Sequence, residues 1–90
     1  MEIIFGKPYI DEGNVREFDS TLSESHYVWH RDDSRRTIEI LEGDGWCLQF
    51  EDCLPILLKP CMKITIKMHE YHRLIKGINN LKIRIIHEDK

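Results

Sequence analysis

The sequence predicts an all-β domain, a sandwich or barrel of roughly seven to nine short strands. Three observations predict it. Apolar and polar residues alternate with a period of two, most cleanly where Ile64, Ile66 and Met68 interleave with Lys63, Thr65 and Lys67. Turn-forming residues interrupt the alternating runs at short intervals, at residues 42–45, at Pro55 and Pro60, and at residues 77–80. Almost nothing recurs at helical spacing.

Each element follows from its own residues. Residues 2–5 read as a first strand. Residues 11–25 are rich in Asp, Ser, Thr and Asn, and read as loop around at most one weak strand near residues 15–18. Over residues 27–32, Val28, His30 and Asp32 share one strand face, with Tyr27, Trp29 and Arg31 on the other. Over residues 36–42, Arg36, Ile38 and Ile40 share a face opposite Thr37, Glu39 and Leu41. The Glu-Gly-Asp-Gly run at residues 42–45 carries hairpin chemistry, because Gly and Asp tolerate positive φ, so residues 46–51 are expected to return as the partner strand. Residues 54–58 form a short strand bracketed by Pro55 and Pro60, which places it at an edge or bend. His72 and Leu74 share a face of the next strand. Leu81, Ile83 and Ile85 form the last, with Lys82 and Arg84 outward.

Composition narrows the function classes. Ninety residues make a single domain spanning 1–90, hydrophobic residues are 41% and charged residues 32%, as in soluble globular proteins. A net charge of -3 with dispersed signs and no basic stripe argues against a nucleic-acid surface. Cys47, Cys53 and Cys61 are odd in number and form no CxxC pair, so they read as reduced thiols. No apolar run approaches the ~20 residues of a membrane span, and residues 1–5 are too short, with Glu2 among them, for a signal peptide. A cytoplasmic location is the expectation. A barrel this short leaves strand edges and apolar side chains such as Ile3, Ile4, Phe5 and Ile86 uncovered, so a homodimer is expected; a monomeric mass in solution scattering would count against it.

The stretch His30-x-Asp32-x3-Arg36-x6-Gly43 resembles the first motif of the cupins, Gly-x5-His-x-His-x3–4-Glu-x6-Gly. Cys61-x5-Lys67-x-His69-x2-His72-x3-Lys76 has the spacing of the second, Gly-x5-Pro-x-Gly-x2-His-x3-Asn. The resemblance covers residues 24–76. His30, Gly43 and His72 keep the family residue, whereas Glu24, Asp32, Arg36, Cys61, Lys67, His69 and Lys76 depart from it. The resemblance implies a double-stranded β-helix, a jelly roll of two sheets, holding a divalent metal such as iron, manganese, zinc or nickel. His30 and His72 would be ligands, with Asp32 in the place of the second histidine, where a carboxylate can serve. Arg36 would stand at the glutamate position, and a guanidinium has no lone pair to offer a cation.

Two arrangements follow. In one, His30, Asp32 and His72 form a two-histidine-one-carboxylate metal face, and Arg36 clamps the carboxylate of a small substrate, as in an oxygenase or isomerase. In the other, Asp32 and Arg36 form a buried ion pair in place of the metal, leaving a non-catalytic binding or assembly protein. Whether the chain is an enzyme stays open between them. The His-x-Asp pattern with a distant His also resembles the iron triad of 2-oxoglutarate oxygenases, but Arg84, the candidate cosubstrate arginine, alternates onto the solvent face. A bulge over residues 32–34 would exchange Asp32 for Asp33. Gln49 could offer a ligand-contacting amide if its strand face points inward, and Trp29 and Tyr71 could line the pocket mouth by stacking. For Trp29 and Trp46, core or dimer contacts are the favoured reading. His69 reads as an exposed turn residue.

Overall fold

The computed structural model describes residues 8–87. The strand expected over residues 2–5 lies outside them. Eight strands occur among the described residues: β1 (Tyr9–Glu12), β2 (Val15–Phe18), β3 (Arg36–Glu42), β4 (Cys47–Phe50), β5 (Ile56–Leu57), β6 (Lys63–Ile66), β7 (His72–Ile75) and β8 (Leu81–His87). They form two antiparallel sheets, one ordered β1-β2-β8-β3-β6 and one ordered β5-β4-β7. Neither order closes on itself. Among the described residues no helix is long and apolar enough to cross a membrane. Cys47, Cys53 and Cys61 are all free.

The period-two readings of β3, β6 and β8 hold. Ile38 and Ile40 of β3, Ile66 of β6, and Leu81, Ile83 and Ile85 of β8 are all buried, and they meet Leu48 of β4 in one core shared by both sheets. Met68 lies past the end of β6 and is exposed. β5 sits at the edge of the smaller sheet, as its bracketing prolines require.

Three expectations are corrected. The weak strand expected near residues 15–18 is β2, but it does not stand alone in a loop: it forms a hairpin with β1, turned at Gly13 with φ 64°. It is held by the Tyr9–Phe18 ring contact at 5.4 Å and by Arg16, whose Nε and Nη2 donate to the Asp11 carboxylate at 2.7 and 3.0 Å. β4 does not return alongside β3. Both edges of β3 are already taken, by β6 and β8, so the chain crosses to the other sheet at the turn after β3. Gly43, at φ 145°, allows that crossing; a Cβ there would lie 2.8 Å from Leu81 Cδ1. Finally, residues 27–32 follow a 3-10 turn, Glu24–His26, and pair only at one antiparallel bridge, His30 with His72.

Trp46, the residue that leads into β4, is fully buried and anchors the crossing. Its ring packs edge-on to Tyr27 at 5.3 Å and its indole N–H donates to the Asn79 carbonyl. The Asn79 side-chain oxygen accepts from the Asp44 N–H at 2.9 Å, so the turn before β4 and the turn before β8 are tied together.

Candidate metal centre

His72 opens β7, and its side chain is buried. His30 is held opposite it by paired backbone bonds, His30 N–H to His72 O at 3.0 Å and His72 N–H to His30 O at 2.9 Å. The bridge brings the two rings to a centroid separation of 4.3 Å. Each ring is then fixed in the same manner. His30 Nδ1 lies 2.9 Å from the Val28 carbonyl and His72 Nδ1 lies 2.7 Å from the Glu70 carbonyl. A carbonyl only accepts, so both Nδ1 atoms carry a proton, and in the neutral ring Nε2 is the nitrogen that presents a lone pair. This is how metal-ligating histidines are oriented in general, the distal N–H bound by the protein and the proximal nitrogen free.

Asp32 completes the group. Its Oδ2 lies 3.6 Å from His72 Nε2, and its own backbone carbonyl accepts from the His69 N–H at 2.8 Å. That bond pins the segment before β3 against the turn before β7. Asp32, not Asp33, turns inward: the Asp33 side chain is fully exposed and faces His69 at 3.7 Å. One ligand atom from each of His30, Asp32 and His72 lies within 4.8 Å of the others. Metal–ligand bonds of about 2.0–2.2 Å keep ligand atoms no more than ~4.4 Å apart, so small side-chain rotations bring all three onto one divalent ion. Two imidazoles and a carboxylate suit iron, manganese, nickel or zinc better than calcium or magnesium.

Burial pushes the His72 imidazole below its ordinary value of 6.5, opposed by its hydrogen bond to the Glu70 carbonyl. Because the folded value is depressed, the unfolded chain binds more protons in the acid range. The resulting stability is present above pH 6.5 and is lost as pH falls through the folded value. Unfolding midpoints of chelator-treated protein should therefore drop between pH 7 and pH 5. His72→Gln should flatten that dependence, and an equal slope in both proteins would refute the assignment.

Arg36, at the start of β3, lines the same cavity as the three ligand candidates. The Asp32–Arg36 ion pair of the alternative arrangement does not form: Asp32 is turned to His72, and among the described residues the Arg36 side chain has no ion-pair or hydrogen-bond partner. Its Nε is buried without a partner. The cavity measures about 320 Å³. His30, Asp32, His72 and Arg36 are among its polar lining residues, and Phe18, Ile38, Leu74 and Ile83 are among its apolar walls.

The other residues singled out in the sequence lie elsewhere. Leu48 faces the core, so Gln49, its neighbour on the strand, sits on the opposite face; it donates to the Cys53 carbonyl and accepts from Arg73 Nε, each at 2.9 Å. Trp29 and Tyr71 line a separate shallow groove with Glu51 and Asp52, and Arg73 stacks on Trp29 at 4.9 Å. Conversely, the cavity is lined by Tyr9, Arg16, Phe18 and His26, none of which sequence reasoning had placed there. The alternation of Arg16 and Phe18 within β2 was the available signal.

The fold and site define a two-sheet antiparallel β-protein with a histidine–aspartate cluster and an unpaired arginine in one cavity. The structure is similar to the crystal structure of protein NMB1881 from Neisseria meningitidis, with a TM-score of 0.57 and 16% sequence identity, covering 98% of this chain and 89% of that one. At that identity the likeness concerns the fold alone. No protein-family model matches the sequence, and no curated protein matches it significantly.

Proposed function

We propose that this chain is a small cupin-like jelly roll that holds a divalent metal through His30, Asp32 and His72 and binds a small carboxylated molecule in the cavity beside it. The observation that carries the reading is the matched pair of Nδ1–carbonyl bonds, which leaves both Nε2 lone pairs beside the Asp32 carboxylate. When bound, the metal would supply a Lewis acid in the cavity. His30 and His72 would hold it in neutral form, Asp32 would offset part of its charge, and Arg36 would orient an anionic ligand against it. An oxygenase or isomerase acting on a small acid fits this arrangement.

Backbone conformation supports the cupin reading independently of the ligands. The family motif has glycine where this chain has Cys61 and His69, and both residues adopt left-handed backbone, φ 76° and 65°. Such a conformation costs a non-glycine residue roughly 1–2 kcal/mol. Cys61→Gly and His69→Gly are each expected to stabilise the fold by about 1 kcal/mol in urea unfolding. Destabilisation by both would remove this support.

The test of the function is elemental analysis of untagged protein. Near-stoichiometric iron, manganese, nickel or zinc is expected. A protein isolated without metal and failing to take up any of these four ions would overturn the proposal.

A further inference from the structure

We infer that the ligand of this cavity is a monocarboxylate with a compact apolar body, bound head-first to Arg36. This deepens the reading above and rests on it for the cavity being a ligand site, but not for the metal. The head group follows from charge. Two arginines line the cavity, and they differ in commitment. Arg16 already binds both oxygens of Asp11 and lies 3.8 Å over the Tyr9 ring. Arg36 has no such partner, and its buried Nε is the one buried side-chain polar atom left unsatisfied among the described residues. A buried donor without an acceptor is unfavourable, and a carboxylate satisfies a guanidinium with two parallel hydrogen bonds. One free guanidinium calls for one carboxylate.

The body follows from what lies two residues further along each wall. On β3 the cavity lining passes from Arg36 to Ile38, and on β7 from His72 to Leu74. A two-residue step along a strand is roughly 6.5 Å, so the polar end gives way to the apolar end within the length of one ring or a short branched chain. Ile83 and Phe18 continue the apolar side, both buried. A volume of about 320 Å³ lies at the small end of ligand cavities. A sugar or a dicarboxylate would bring polar groups against Ile38, Leu74 and Ile83, where the neighbouring Arg16 is already held by Asp11.

The experiment is calorimetric titration of chelator-treated protein with phenylacetate, 3-methylbutanoate, acetate, succinate and 2-phenylethanol. Phenylacetate or 3-methylbutanoate is expected to bind at least tenfold more tightly than acetate, succinate or the uncharged alcohol. Arg36→Met should weaken the better acid at least tenfold. In wild-type protein, methyl resonances of Ile38 and Leu74 should shift on titration while those of Leu57, exposed on β5, stay fixed, a readout that does not depend on the variant folding. Equal affinity for acetate and the apolar acids, or fixed Ile38 and Leu74 resonances, would overturn the inference. Because metal is absent throughout, failure here is distinguishable from failure of the metal site, which metal content alone decides.

Discussion

His72→Ala is expected to lower divalent-metal affinity at least 100-fold, and His30→Ala to do nearly the same. The magnitude follows from position. Even a residue that only orients a ligand typically contributes about 10–100-fold to affinity, and these two residues supply lone pairs themselves. His72 is buried, so alanine leaves a hole on the core side that no exposed donor can fill. His30 is more exposed but is aimed by the Val28 carbonyl and by its bridge to His72, so water is its only substitute. Asp32→Asn should weaken binding as well, since an amide keeps one oxygen but not the charge. Asp33→Asn, one residue away with its side chain in solvent, should change nothing. Metal content after dialysis, measured across the four variants, separates the outcomes. Equal loss in all four would mean surface adsorption, and no loss in His72→Ala would place the metal elsewhere.

How much of this was legible in the sequence depends on whether the deciding interaction is local. β3, β6 and β8 were legible because each buries one face against the core and keeps its other face polar, which writes a period of two into the chain. β1 was not. Only Tyr9 of its four residues packs on the core, and Ile10, Asp11 and Glu12 are exposed, so no alternation marks it. The turn after β3 was legible, but its consequence was not. Hairpin chemistry is local, whereas the reason β4 leaves is that β6 and β8 already occupy both edges of β3. The site divides the same way. His30, Asp32 and His72 stand at motif spacing, and the structure does bring their ligand atoms together. That Gln49, Trp29 and Tyr71 face away depends on which side of β4 and β7 the larger sheet covers, and no single strand records that. The freedom of Arg36 is equally non-local, since it depends on Asp32 having turned to His72.

Gly77→Ala is expected to destabilise the fold by at least about 3 kcal/mol, at or beyond the upper end of ordinary overpacking. The sequence presents Gly77 as a turn residue, yet its φ is not in the left-handed region, and the constraint is space. A Cβ there would lie 2.3 Å from the Asp44 carbonyl oxygen, 2.5 Å from Trp46 Cδ1 and 2.7 Å from Trp46 N. Two of these three atoms are backbone, and the third belongs to an indole that is fully buried against Tyr27 and Phe18. Relief therefore means separating the two turns joined by Asn79, and that opens the core at Trp46. Gly13 provides the contrast. Its φ of 64° favours glycine, but nothing lies within 4 Å of an added Cβ, so Gly13→Ala should cost only about 1 kcal/mol of backbone strain. For a domain of this size 1 kcal/mol moves the melting temperature by roughly 4–8 °C, so the two variants should melt at least ~8 °C apart. If they melt together, the contact between the turn at Gly77 and the buried Trp46 is not what holds the two sheets in place.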